Sequence, residues 1–209
     1  MRQWVWLLLA TPLLNACTTV PATKPGTINQ DASQAAYKNR AENISGVSAW
    51  SLVGRISLDD GEEGGSGRLQ WIVKADHSTI DFRGAMGRGA WYLEIGPQGA
   101  VLRLADGSEH FAPAVDALIQ QQVGWPIPVA ALQWWVRGLA APGPVDERQL
   151  DARGLLSSLK QFGWEIDFNR YASDSGVAMP TRLDARQNKY RLKLAINRWQ
   201  IPTNDVIAN

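Results

Sequence analysis

The stretch WSLVGRISLDDGEEGGSGRLQWIVK, residues 50–74, alternates between apolar and polar side chains twice over. Trp50, Leu52, Ile56 and Leu58 fall on one side and Ser51, Arg55 and Ser57 on the other. Beyond the glycine-rich DDGEEGGSG turn, Leu69, Trp71 and Val73 alternate with Arg68, Gln70 and Lys74. A period of two sets one side of an extended chain against a core and leaves the other wet. Gly54 breaks the first row and marks a bulge.

The same alternation recurs downstream. Ile80 and Phe82 oppose Asp81 and Arg83; Trp91, Leu93 and Ile95 oppose Tyr92 and Glu94; Leu102 and Leu104 oppose Arg103. Further rows are Trp164, Ile166 and Phe168, then Tyr190, Leu192, Leu194 and Ile196. One-faced strands joined by short loops predict an antiparallel sheet of ten or eleven strands with one wet side. Two segments break the pattern, 113–122 and 128–137. In the second, Val129, Leu132 and Val136 stack at helical spacing, with Pro128 suited to a first turn and Gly138 to a stop. The expected fold class is mainly β, a curved antiparallel sheet whose concave apolar face is covered by a helical lid.

The N-terminus has a different character. Arg2 precedes an apolar run, Trp4 to Leu14, that is broken by Pro12, and the small Ala16 stands before Cys17, the single cysteine of the chain. This is signal-peptide anatomy, too short for the roughly 18 apolar residues of a membrane span. Leu14, Asn15, Ala16 and Cys17 resemble the lipobox of bacterial lipoproteins, which implies a diacylglycerol on the Cys17 thiol and a further acyl chain on its freed amine. Several chains anchor stably where one is marginal. The expected division is a signal peptide over 1–16, a lipid-anchored flexible tether over 17–35 and a single domain over 36–209. The tether is poor in large apolar residues and would reach roughly 20–25 Å. A short helix over Ala32–Asn43 follows its start.

Removing residues 1–16 takes Arg2 from the 21 basic side chains and leaves them balanced against 20 acidic ones. A neutral, mixed-sign chain argues against a nucleic-acid binder, which would normally show a basic stripe. Enzyme signatures are missing: there is no GxSxG, HExxH or phosphate loop. His77 and His110 sit beside polar turns, and the pairs Asp59, Asp60 and Glu62, Glu63 lie in the glycine-rich turn, where solvation accounts for them. No catalytic residue, metal or cofactor is expected.

Eight of the ten tryptophans lie beyond residue 17, at 50, 71, 91, 125, 134, 135, 164 and 199. They fit a large aromatic core or a lined cavity in a curved sheet, and periodicity does not choose between these. GAMGRGAW, residues 84–91, puts Met86 among small residues where two strands are joined. Met86 either tucks back onto the sheet or protrudes; buried in lipid it would contribute about 1.5–3 kcal/mol.

Cys17 after its tetrad, WSLVGR at 50–55, GWPIP at 124–128, WWVRG at 134–138, QFGW at 161–164, Met179 with Pro180, and INRW at 196–199 resemble, in order and spacing, the LolB family of outer-membrane lipoproteins. The resemblance implies a half-open LolA/LolB-like barrel with a helical lid over a cavity for acyl chains. It implies a monomeric acceptor that takes lipoproteins from a soluble periplasmic carrier and inserts them into the outer membrane. Trp50, Leu69, Trp71, Phe82, Trp91, Leu93, Trp135 and Trp164 are the expected cavity wall. Ala85, Met86 and Gly87 match the family's PLG-like loop, which makes Met86 the membrane-insertion residue. Thr18, where aspartate would signal inner-membrane retention, favours the periplasmic face of the outer membrane. The alternative is a lipocalin-like periplasmic binder of a small hydrophobic molecule.

Overall fold

A computed structural model describes residues 30–85, 89–173 and 176–202. Helix α1 (Gln30–Ser45) leads into a run of strands: β1 (Ala49–Asp59), β2 (Gly64–Lys74), β3 (His77–Gly84), β4 (Trp91–Gly96), β5 (Gly99–Leu104) and β6 (Glu109–Ala112). Helices α2 (Val115–Val123) and α3 (Val129–Trp135) follow. The chain then completes β7 (Glu147–Leu150), β8 (Leu156–Gln161), β9 (Trp164–Ala172), β10 (Met179–Gln187) and β11 (Tyr190–Gln200).

All eleven described strands form one antiparallel sheet in the order β6-β5-β4-β3-β2-β1-β11-β10-β9-β8-β7. Two meanders, β1 to β6 and β7 to β11, are joined where β1 pairs with β11, from Ser51 opposite Gln200 to Asp59 opposite Arg191. The outer edges, β6 and β7, do not pair, so the sheet is open. Register slips by one residue at Val53 and Gly54, which leaves Asn197 unmatched on β11. Gly54 is required there, since a Cβ would lie 2.4 Å from the Ala195 carbonyl oxygen.

The alternating residues face inward as their spacing predicts. Leu52, Trp71, Leu93, Leu102, Ile166, Leu183, Leu192 and Leu194 are buried, and the lid adds Leu118, Ile119, Leu132, Trp135 and Val136 to the same core. Each such side chain contributes about 1.5–3 kcal/mol on burial. The segment from α2 to α3 starts at β6, touches β11 through Trp125 against Tyr190, and reaches β9 through Trp135 against Trp164. One helical crossover therefore spans the inner face from the β6 edge to β9. It covers the apolar face that the short strands leave open.

Some boundaries differ from the sequence expectation. The expected glycine-rich turn contributes Gly64–Gly67 to β2, because Gly67 lets the Phe82 ring of β3 lie across the strand; a Cβ there would stand 2.6 Å from that ring. The helix expected over Ala32–Asn43 runs from Gln30 to Ser45, starting inside the stretch assigned to the tether, with Ser33 buried. Helix α2 stops at Gly124, with φ +82°, and the turn after α3 closes at Gly138, with φ +72°.

Candidate functional site

An open cavity of about 950 Å³ lies at one end of the sheet. The turn after β1, the connection from β3 to β4, the end of β5 and the end of α2 converge around it. Its apolar surface comes from Leu58, Phe82, Trp91, Leu104, Val123 and Trp125. Phe82 and Trp91 are cross-strand partners, and their rings stack at 5.3 Å and 25°. Gly64, Gly65, Gly84 and Gly89 line the space without filling it, and Ser57, Ser66, Asp59, Asp106 and Gln122 make a polar margin.

Phe82 and Trp91 are the two expected wall residues that line this cavity. Leu69 is the cross-strand partner of Phe82 and is buried beside it. One step further along the strands, Trp71, Ile80, Leu93 and Leu102 form the next inward row. Trp71 is 1% exposed, and its indole N–H donates to Ser78 Oγ at 2.7 Å. Trp50 packs on Trp71 at 5.4 Å and on Trp199 at 5.7 Å. Trp135 and Trp164 face one another at 6.5 Å in the opposite half of the core. Leu69, Trp71 and Leu93 thus lie on the strands that carry Phe82 and Trp91 or pair with them, buried and outside the cavity lining, as are Trp50, Trp135 and Trp164. Met86 and Cys17 lie outside the described residues, while Ala85, Gly89 and Ala90, on either side of Met86 in sequence, line the cavity.

Leu58 and Leu104 were legible as inward-facing but carried no assignment to the site, because each sits at the end of its strand, where burial gives way to opening. Trp125 has no periodic signal. Its position follows from the α2-to-α3 turn, which sets it edge-on to Tyr190 at 5.9 Å.

The lid is fastened by polar contacts. Gln161 on β8, fully buried, accepts from Trp135 Nε1 and from the Ala141 N–H, both at 3.0 Å, and donates to the Ala141 carbonyl at 2.7 Å. Arg40 of α1 donates to the carbonyls of Arg137 at 2.8 Å and Gly138 at 3.1 Å, at the end of the lid. Arg137 in turn donates to the Ile44 carbonyl, at the end of α1, at 3.1 Å. Each arginine thus caps the other helix's exit. Burial first, and the like charge of Arg40 second, bring Arg137 down to about 10, so it stays charged at neutral pH. Asp116 of α2 accepts the Ala130 N–H of α3 at 3.1 Å, and burial pushes its carboxyl up.

The family model for outer membrane lipoprotein LolB matches residues 48–199. An outer-membrane lipoprotein LolB of Alkalilimnicola ehrlichii is 32% identical over 194 residues, covering 92% of this chain and 94% of its own. That of Pseudomonas aeruginosa is 34% identical over 192 residues, covering 91% and 92%. Among solved structures, a LolA superfamily protein of Nitrosomonas europaea superposes with TM-score 0.50 at 7% identity, over 79% of this chain and 93% of that one. A putative outer membrane lipoprotein-sorting protein domain of Vibrio parahaemolyticus gives 0.51 at 9% identity, over 85% and 97%. These two likenesses concern the fold.

Proposed function

We propose, from the premise that this chain belongs to the LolB family of outer membrane lipoproteins, that it accepts lipoproteins from a soluble periplasmic carrier, shields their acyl chains and passes them to the outer membrane. Cys17 holds the protein to the membrane, and Met86 is the apolar tip that meets the bilayer. The observation that carries this reading is the open cavity of about 950 Å³, walled by the stacked Phe82 and Trp91, with Ala85, Gly89 and Ala90, which flank Met86 in sequence, in its lining. A space at the upper end of the usual ligand-cavity range, roughly 300–1,000 Å³, suits a flexible alkyl chain.

The transfer needs no covalent step. Each methylene exposed to water costs about 0.8 kcal/mol, so a chain released into solution faces a barrier that a closed route avoids. Acyl chains enter against Phe82 and Trp91, with Leu69, Trp71 and Leu93 as the wall behind them. Longer or multiple chains need the lid to lift, which exposes Trp50, Trp135 and Trp164. Lifting breaks the Trp135 to Gln161 bond and the arginine caps, and docking of the carrier supplies that free energy.

Crosslinking in cells from a photoreactive residue placed at Trp91, followed by identification of what is captured, tests the proposal. A lipid-modified protein and a soluble carrier are the expected products. Capture of free fatty acid or pigment alone, with no lipoprotein, would replace this reading with the small-molecule binder.

A further inference from the structure

The outward face of the sheet carries a row of like charges. Arg55 on β1 stands directly opposite Arg68 on β2, and Arg68 directly opposite Arg83 on β3. Arg198 on β11 is opposite Val53, one pleat along from Arg55. All four side chains are exposed. Arg83 is held by Asp81 at 3.0 Å; among the described residues, Arg55, Arg68 and Arg198 have no carboxylate partner. Like charges facing each other across strands cost stability, and among the described residues the single carboxylate of Asp81, which lines one of the depressions below, offsets that cost for Arg83 alone. Two shallow depressions, about 480 and 360 Å³, share Val53, Arg68 and Arg198 in their walls. A chain that is nearly neutral as a whole thus concentrates positive charge at one place.

The place is informative. One register step beyond the pair Arg68 and Arg83 is the pair Gly67 and Gly84, and after Gly84 the chain enters the 85–90 loop. Ala85, Gly89 and Ala90 at the two ends of that connection line the cavity, and the arginine row lies next to its root, on the outward face of the sheet. We propose that Arg55, Arg68, Arg83 and Arg198 form a surface for the headgroup phosphates of an anionic bilayer, and that this surface sets how the 85–90 loop approaches the membrane. Guanidinium groups bind phosphate oxygens in a forked, two-point geometry. A bilayer fits better than an acidic protein because the row adjoins the end of β3, from which the chain enters the segment that the proposed function sets against the membrane. This inference rests on the reading of that loop as the membrane-contacting element.

The test uses the mature chain with Cys17→Ala, which has no acyl anchor, floated with phosphatidylethanolamine vesicles with and without phosphatidylglycerol. Partition should rise with the phosphatidylglycerol fraction and fall with salt. Arg55→Gln and Arg68→Gln should each lower partition onto anionic vesicles about five-fold, and together roughly 25-fold. The thermal midpoint of the double variant should be unchanged or raised, since an opposed pair of charges is gone. Lys38→Gln, on the exposed side of α1, should change nothing. Equal partition of the double variant and its parent onto anionic vesicles overturns the proposal, including the case where the variant loses contact with an acidic protein instead. If the parent binds anionic vesicles through the arginines yet never takes up a lipoprotein, the acceptor reading falls and the headgroup surface stands.

Discussion

Replacing Gln161 with leucine should loosen the lid and leave the sheet intact. Three polar groups would lose their partner in a site from which water is excluded: the Trp135 indole N–H, the Ala141 N–H and the Ala141 carbonyl. Each unsatisfied group costs about 1–3 kcal/mol, and a buried leucine recovers part of it, so Gln161→Leu should lose about 3–6 kcal/mol. That is a large share of the roughly 5–15 kcal/mol that holds a domain folded. Denaturant unfolding followed by tryptophan fluorescence measures the loss. A double-mutant cycle with Trp135→Phe, which removes the indole donor, isolates the Trp135 part; the two changes should be less than additive by about 1 kcal/mol. The same variant should take up an apolar fluorophore more readily, because the fastened lid is what shields the inner half of the core. A destabilisation below about 1 kcal/mol would mean that the three groups find other partners, and that Gln161 does not hold the lid.

Gly54→Ala would drive a Cβ into the backbone of β11, 2.4 Å from the Ala195 carbonyl oxygen, so calorimetry should show a loss of about 1–3 kcal/mol or a failure to fold. Trp91→Asp removes the ring stacked on Phe82 and puts a charge in the cavity, and a fluorescent acyl probe should bind about ten-fold more weakly, whereas Lys38→Asp should bind it as the parent does. Met86→Glu should accept a lipoprotein from the carrier and fail to deliver it to vesicles; undiminished delivery would remove Met86 from the pathway. Partial burial raises the Asp151 carboxyl, but the N–H groups of Leu155 and Arg153 and the Arg153 guanidinium outweigh it and hold it below its usual value. A depressed folded value gives stability that is present above the unfolded value and lost as pH falls through the folded one, so Asp151→Asn should flatten the acid limb of unfolding below about pH 4.

The central strands were legible because Leu69 to Val73 and Leu192 to Ile196 alternate without interruption, and Trp50 to Leu58 does so on either side of Gly54. β7 and β6 were not, since both are four-residue edge strands and β7 exposes Glu147, Arg148 and Gln149. β8 and β10 were hidden for another reason. β10 carries Pro180 and two register slips, which throw its buried residues out of phase, and the slip between β7 and β8 sets Leu156 against the rhythm of Leu159 and Gln161. The site was half visible. Inward-facing residues can be listed from period two, but which of them border empty space depends on where the crossover helices stop. Gly124 and Trp125 decide that through a turn geometry that no periodicity encodes. The lid fastenings join residues as far apart as Arg40 and Gly138, and pattern reading does not find such pairs.

The seam between the first and last strands also bears on how the molecule is made. Ser51 must find Gln200, so the middle of the sheet cannot zip until the chain through Gln200 has been exported. Contacts of such long separation in sequence fold slowly, because the loop entropy is lost before they form. Until then each meander exposes an unpaired central strand and a greasy underside, the condition under which nascent chains aggregate. Truncation a few residues inside β11 should therefore yield insoluble material, not a trimmed but working protein.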